Sequence, residues 1–237
     1  MQVLATLKKL NKKTSSSFID SPKYWQKSPS TIILREESDR ALSEHAQGKS
    51  VLDAGAGRLA YRSMIKQYAD TYTSSDFMQT HPDIDVVTDI EKMPFKQGEF
   101  EVVFCSQVIE HVPHPWKAFA EIFRVLKKNG VAIITVPMLG YIHNAPFDFY
   151  RYTEFGLKVL AEDAGFKVLE IKPIGGFFSF LGYVRSTVLL PLFGIPLLGD
   201  ILFYLNVGLS KIEILIDEIT KNAKVFPLNY ILVVKKR

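Results

Sequence analysis

The sequence predicts an α/β domain: a mostly parallel sheet with helices on both faces. Three observations predict it. A short apolar run, Val51-Leu52-Asp53-Ala54, enters a glycine turn, Gly55-Ala56-Gly57. Downstream, apolar runs of strand length alternate with segments of helical spacing. The strand-like runs stop at polar or punctuating residues, Asp76, Asp89 and Pro137. Strands separated by helices of this length join as right-handed parallel crossovers. A chain of 237 residues, 47% of them hydrophobic, suffices for one such domain with an elaboration.

In chain order, residues 1–30 read as a basic arm. They hold Lys8, Lys9, Lys12, Lys13, Lys23 and Lys27 against Asp20 alone. Val3, Leu4, Leu7 and Leu10 share one helical face, so the arm reads either as a solvated terminus or as a surface helix drawn to anionic lipid. Residues 31–47 read as a helix over the domain edge. Leu59 to Tyr68 follow the glycine turn as the first crossover helix. Tyr72 to Ser75, ending at Asp76, and Ile84 to Val87, ending at Asp89, read as the next two strands. Phe100 to Cys105 is the fourth. Trp116, Phe119, Ile122, Phe123 and Leu126 then fall on one helical face, with Asn129-Gly130 as its stop and Arg124, Lys127 and Lys128 as its solvated end. Val131 to Val136 is a buried strand. Thr153 reads as the N-cap of a helix that ends at Gly165. Val168 to Ile171 and Ile231 to Val234 read as the last two strands.

In an open sheet of this kind, ligands sit beyond the carboxyl ends of the strands. Gly55 and Gly57 allow close backbone approach there. Asp53 disfavours a pyrophosphate and favours a ligand carrying an ammonium group. Asp76 suits a ribose diol. Asp89 suits an adenine amino group, with Ile90 against the ring. Three carboxylates at successive strand ends fit a cationic adenosyl amino acid.

In their order and spacing these segments resemble the class I S-adenosylmethionine-dependent methyltransferases. The likeness rests on Val-Leu-Asp-Ala-Gly-Ala-Gly at 51–57, Ser-Ser-Asp-Phe at 74–77 and Thr-Asp-Ile-Glu-Lys-Met-Pro-Phe at 88–95. It continues through Phe-Glu-Val-Val at 100–103, Val-Ile-Glu-His-Val at 108–112 and Glu-Ile-Phe-Arg-Val-Leu-Lys-Lys-Asn-Gly at 121–130, to Ala-Gly-Phe at 164–166. It implies a Rossmann-like methyltransferase fold with a seven-stranded sheet over residues 31–237, and S-adenosyl-L-methionine as cofactor. It further implies that Asp53, Gly55 and Gly57 meet the methionine part and Asp76 the ribose. Asp89 would meet the adenine, Phe77 and Ile90 would flank it, and Ser106 would lie near the methionine end. The family often carries a further glycine where this chain has Leu59.

Methyl transfer from a sulfonium is an in-line displacement, and a base is needed only for an unactivated hydroxyl. Two clusters offer acceptor-side groups: Glu110-His111, and the run from His143 to Tyr152. The second resembles a His-x-x-Pro-x-Asp-x-x-Arg-Tyr signature, carried here by His143, Pro146, Asp148, Arg151 and Tyr152, in a subset of these enzymes linked to glycan or lipid modification. His143 and His111 are the candidate catalytic residues; Asp148, Tyr150 and Arg151 are candidate substrate contacts. Asp148 and Arg151 also read as an ion pair pinning a loop. The expected acceptor is a small molecule, a glycan or a lipid-linked group.

Residues 174–226 break the rhythm as an apolar helical insertion before the last strand. Between Ile174 and Leu209 the only charges are Arg185 and Asp200. Pro191, Gly194, Pro196 and Gly199 divide the stretch into two pieces too short to span a bilayer of about 30 Å. It reads as a peripheral membrane contact through 176–208, a lid over the acceptor pocket, or a homodimer surface. Residues 211–224 read as an amphipathic helix with Ile212, Leu215, Ile216 and Ile219 inward.

One cysteine, Cys105, excludes an internal disulfide and a cysteine-based zinc site, and no metal is expected. No aromatic-basic stripe marks nucleic acid. A cytoplasmic protein, peripheral on the inner membrane face, is the expected setting. Two other classes fit parts of the pattern. Gly55-x-Gly57-x-x-Ala60 with Asp76 also suits an NAD(P)-dependent oxidoreductase, against which stand Asp53 and Asp89. A non-catalytic membrane-associated scaffold keeping the fold is the other.

Overall fold

The computed structural model describes residues 21–237, so the arm over residues 1–20 lies outside the described residues. The chain divides into two compact units. One comprises residues 37–173 and 229–237; the other comprises residues 21–36 and 174–228.

The first unit is the sheet domain. Its strands are β1 (Ser50–Ala54), β2 (Thr71–Asp76), β3 (Val86–Val87), β4 (Phe100–Ser106), β5 (Leu126–Pro137), β6 (Phe166–Ile174) and β7 (Asn229–Lys236). They lie in the order β3-β2-β1-β4-β5-β7-β6. From β3 through β5 neighbouring strands are parallel; β7 runs antiparallel to β5, from Val131 opposite Lys235 to Pro137 opposite Asn229. The central strands are apolar along nearly their whole length because helices cover both faces. Leu52, Val103, Phe104, Ile133, Ile134 and Leu232 are fully buried.

The helices are α1 (Pro29–His45), α2 (Arg62–Tyr68), α3 (Pro115–Val125) and α4 (Glu154–Asp163), with α5 (Phe177–Leu189) and α6 (Leu198–Thr220) in the second unit. α1 begins two residues earlier than expected. Ser28 and Thr31 form a reciprocal cap there: each side-chain oxygen accepts the other's backbone N–H, at 3.3 and 3.2 Å. α4 starts as read, with the Thr153 hydroxyl accepting from Gly156 N at 3.2 Å.

Four expectations are corrected. First, the crossover helix begins at Arg62 and not Leu59, because Leu59 adopts a left-handed backbone with φ +62°. Second, β3 is only Val86–Val87, so Asp89 lies two residues beyond it. Third, the third crossover helix stops at Val125, and Asn129-Gly130 does not end it. Leu126 is already extended, and Lys127 and Lys128 lie in β5. Asn129, at φ +65°, forms a bulge opposite a register shift between Phe100 and Val102. A side chain on Gly130 would crowd Lys127 O at 2.9 Å and Glu101 O at 3.0 Å. The pair read as a helix stop thus bends a strand, since left-handed tolerance serves either purpose. Within α3 the buried face is Ala118, Phe119, Ile122 and Val125; Trp116 is exposed, edge-on to His114.

The fourth correction concerns the second unit. The second half of the insertion is one 23-residue helix, α6, continuous through residues 211–220. Ile212, Leu215 and Ile219 point outward, Ile219 with 71% of its surface exposed. The inward positions belong to Phe203, Asn206, Val207, Ser210 and Asp217. Asp217 holds that face inward. Its carboxylate accepts from Gly176 N and Ser179 N at 2.8 Å and from Phe178 N at 3.0 Å, capping the start of α5, where Gly176 has no side chain to do so.

The bulge generates a test. Asn129→Val, which places a β-branched residue at positive φ, should lower stability by about 1–2 kcal/mol in chemical denaturation, whereas Asn129→Gly should change it by under about 1 kcal/mol.

Candidate active site

The turn after β1 is built by close approach. Gly55 has φ +82°, and a Cβ there would lie 2.3 Å from Val108 Cγ2, so the position admits only glycine. Gly55 N and Ala56 N both donate to Ser75 O, at 2.8 and 2.9 Å, tying the turn to the end of β2. Gly57, at φ +55°, faces open space. Leu59 shows why this family often carries a glycine at its position: the backbone there is left-handed. Burial of Leu59 against Ala56, Ile84 and Tyr72 offsets the conformational cost.

Asp53 is almost wholly buried at the end of β1. Its one side-chain partner is Tyr72, whose hydroxyl donates to Oδ2 at 3.0 Å. Burial pushes the Asp53 carboxyl up to about 7, against the lowering effect of that hydrogen bond. Asp76 closes the turn: its Oδ2 accepts from Gly57 N at 2.7 Å and its Oδ1 from Met78 N at 3.1 Å. Phe77 follows with 65% of its surface exposed. Asp89 accepts from Glu91 N at 2.9 Å, and Ile90 packs half-buried against the main core. At the end of β4, Ser106 Oγ donates to Tyr61 Oη at 3.1 Å and lies 2.7 Å from Thr135 Oγ1. The structure thus joins Asp53, Gly55, Gly57 and Asp76 into one turn, with Ser106 in a separate hydroxyl network.

Sequence reasoning missed Tyr72, Tyr61 and Thr135. Register is the signal for two of them. Tyr72 pairs with Val51, so it is the diagonal neighbour of Asp53 across β1 and β2; Thr135 lies directly opposite Ser106. Arg58, half-buried in the turn after Gly57, also went unremarked.

The loops after β4 and β5 bring the acceptor-side candidates together. Glu110 is fully buried, and neither carboxylate oxygen has a hydrogen-bond partner among the described residues. Desolvation pushes its carboxyl up to about 8. His111 Nδ1 lies 2.5 Å from Phe147 O, so that nitrogen carries the proton and donates. Nε2 is left with its lone pair, 3.7 Å from Glu110 Oε1. Burial, the largest cause, holds His111 below the usual imidazole range, so the ring is neutral at pH 7. The His143 ring meets His111 edge-on, with centroids 4.7 Å apart. Arg151 grips Asp148 through two hydrogen bonds, at 2.6 and 2.9 Å, and also reaches Tyr141 O at 2.9 Å. Asp148 Oδ2 accepts from His143 N at 2.8 Å. The Arg151 guanidinium holds Asp148 well below the usual carboxylate range. Tyr150 donates its hydroxyl to Pro113 O at 3.0 Å, tying the two loops together.

Candidate ligand atoms of Glu110, His111 and His143 lie within 4.8 Å of one another. The same loop exposes Tyr141, Ile142, Phe147 and Phe149 to solvent.

A mostly parallel sheet with one antiparallel strand between β5 and β6, and acidic groups at its carboxyl edge, defines a nucleotide-binding α/β protein distinct from the all-parallel order of dinucleotide-binding folds. Residues 52–134 match the family described as a methyltransferase domain. Residues 52–134 thus carry a domain of the S-adenosylmethionine-dependent methyltransferase kind. An uncharacterised protein of Methanocaldococcus jannaschii is 33% identical over 110 residues, covering 44% of this chain and 48% of that one. A protein of Mycolicibacterium smegmatis, named a "Probable S-adenosylmethionine-dependent methyltransferase", is 26% identical over 160 residues, 61% of this chain and 60% of that one. The chain therefore spans less than two thirds of the length of these relatives. Among solved structures, a S-adenosylmethionine-dependent methyltransferase of Archaeoglobus fulgidus shares the fold with a TM-score of 0.56 at 16% identity, covering 88% of this chain and 95% of that one.

The Arg151–Asp148 grip fixes where His143 stands. Arg151→Met should cost about 1.5–3 kcal/mol in stability and speed amide exchange across residues 141–150, while exchange in β4 and β5 keeps its wild-type protection.

Proposed function

We propose that this chain binds S-adenosylmethionine at the β1–β2 turn and transfers its methyl group to a hydroxyl of a small acceptor with an apolar, lipid-like portion. The observation that carries the cofactor reading is the set of Asp53, Asp76 and Asp89 at or just beyond the ends of β1, β2 and β3. These side chains offer only acceptors once ionised, which suits an ammonium, a diol and an amino group. When bound, S-adenosylmethionine supplies an electrophilic methyl group on a sulfonium.

The chain's own residues do the rest. Asp53, ionised, pairs with the ammonium of the ligand, and the Tyr72 hydroxyl keeps that carboxylate oriented. Asp76 accepts from the ribose hydroxyls while still holding Gly57 N. Arg58, in the same turn, suits the ligand carboxylate. Leu59 and Val108 support the turn from behind, where a wider side chain at Gly55 would displace it. On the acceptor side, His111 Nε2 takes the proton of the acceptor hydroxyl as its oxygen bonds to carbon. Glu110, beside that nitrogen, is the group able to balance the imidazolium charge. His143 packs against His111 and keeps its ring in place, and Asp148 and Arg151 position His143. Exposed Tyr141, Ile142, Phe147 and Phe149 favour an acceptor with an apolar part over a free glycan.

Isothermal titration with S-adenosylhomocysteine tests the cofactor reading. Because burial raises the Asp53 carboxyl to about 7, ammonium binding must expel a proton. Affinity should therefore rise with pH through 7 and fall about tenfold per unit well below it. Asp53→Asn should weaken binding by roughly 10–100-fold and flatten that dependence. Tight binding of NAD with none of S-adenosylhomocysteine would refute the reading.

The proton acceptor is tested separately. His111→Ala should lower methyl transfer to a lipid-fraction acceptor by about 10²–10⁴-fold with S-adenosylhomocysteine affinity unchanged. Wild-type turnover should fall as His111 becomes protonated under acid conditions. An unchanged rate in His111→Ala rules out the imidazole as base.

A further inference from the structure

We propose that Phe177–Thr220 is a helical hairpin that inserts into one leaflet of a lipid bilayer, with its polar seam between the helices and apolar side chains facing lipid on both outer sides. This docking goes beyond methyl transfer and stands or falls separately from it.

The seam comes first. Arg185 of α5 pairs with Glu213 of α6, and its Nη2 reaches Glu213 Oε2 at 3.0 Å. Its Nε donates to Asn206 Oδ1 at 3.0 Å, and Nη2 also lies 3.3 Å from Ser210 Oγ. The Ser186 hydroxyl donates to Gly182 O at 2.6 Å and lies 3.1 Å from Asn206 Oδ1. A Cβ on Gly182 would crowd Pro29 Cγ at 2.7 Å and displace the Glu213 carboxylate. Between residues 182–186 and 206–213 the helices meet through polar side chains, while nearer the turn Phe203 and Val207 of α6 pack on Phe193. Each guanidinium nitrogen of Arg185 has a partner. A buried ion pair is tolerated in a low-dielectric setting when its hydrogen bonds are satisfied in this way.

The outer faces are the reverse of a water-soluble hairpin. On α5, Leu181, Val184 and Val188 recur at helical spacing opposite Ser179, Gly182 and Ser186, and all three are exposed. On α6, Ile201, Leu205, Ile212 and Ile219 run opposite Asn206, Ser210 and Asp217, again exposed. Each helix turns its polar face to the other, so the two apolar stripes look in opposite directions. Water drives the opposite arrangement, with polar residues out and apolar residues between. Between residues 174 and 209 both charges are paired: Arg185 in the seam, and Asp200, exposed in the first turn of α6, with Lys23.

That geometry selects the occupant. A partner protein or a second copy covers one face; a surrounding apolar phase covers both. The helical run Phe177–Gly194 is 18 residues, long and apolar enough to cross a membrane by length and composition. Its break at Pro191 and the charges of α6 from Lys211 onward point instead to one leaflet. The charges of α6 gather in its C-terminal half, at Lys211, Glu213, Asp217 and Glu218. Lys221 and Lys224 follow it, exposed beside Val225 and Phe226. Basic and aromatic residues together at the root of an apolar hairpin suit an anionic headgroup layer.

The test uses the full chain with vesicles of equimolar phosphatidylcholine and phosphatidylglycerol. Cys105 is the only native cysteine and is buried, so Val188→Cys and Leu205→Cys each take an environment-sensitive fluorophore at one site. Both labels should shift to the blue on vesicle addition and be quenched by lipids spin-labelled in the acyl chain. In flotation, the double variant Val188→Glu, Leu205→Glu should lose ~tenfold or more of the vesicle-bound fraction. Quenching of one label alone, or of neither, overturns the inference. So does a blue shift without vesicles accompanied by a dimeric mass, which assigns the face to a second copy. S-adenosylhomocysteine titration on the same samples shows that each variant is folded. Failure of that titration in the wild-type chain would refute methyl transfer and leave the vesicle result intact.

Discussion

A carboxylate held almost out of water at the end of β1 is the constraint on which the rest of the site depends. Burying Asp53 is unfavourable for its charged form, and the Tyr72 hydroxyl alone does not compensate. In the proposed function that cost is recovered when the ammonium of the ligand pairs with the carboxylate. The neighbouring features follow from keeping that place open. Gly55 leaves room for Val108, Asp76 anchors the backbone at Gly57, and Leu59 accepts a left-handed backbone so that the chain turns away from the ligand side. The strain sits at the one turn where ligand affinity can offset it.

A second buried carboxyl, Glu110, repeats the theme on the acceptor side under different rules. Its oxygens have no hydrogen-bond partners among the described residues, and an imidazole whose other nitrogen is fixed by Phe147 O stands 3.7 Å away. In the proposed function one carboxyl pairs with a permanent cation and the other with a transient one. Their environments assign them different work, although both are acids beyond the ends of adjacent strands.

The turn and its carboxylates were legible in the sequence because they are local: a strand, two glycines and an aspartate at each strand end follow from spacing alone. The sheet's parallel core was legible for the same reason. What escaped was set by tertiary pairing. Asn129-Gly130 carries the same left-handed tolerance at a helix stop and in a bulged strand, and only the pairing with β4 decides between them. Tyr72 and Thr135 have no motif of their own; they matter through the residues that register places beside them. The orientation of α6 was misread because apolar periodicity was taken to face inward. Asp217, capping α5, and Glu213, paired with Arg185, turn that periodicity around.

The position of β7 also bears on synthesis. β6 reaches the sheet only through β7, which lies between it and β5 and is made of Asn229–Lys236. During translation the segment 177–220 is therefore synthesised before the strand that closes the sheet. The nascent chain carries its apolar hairpin ahead of a finished domain, with an open edge at β5.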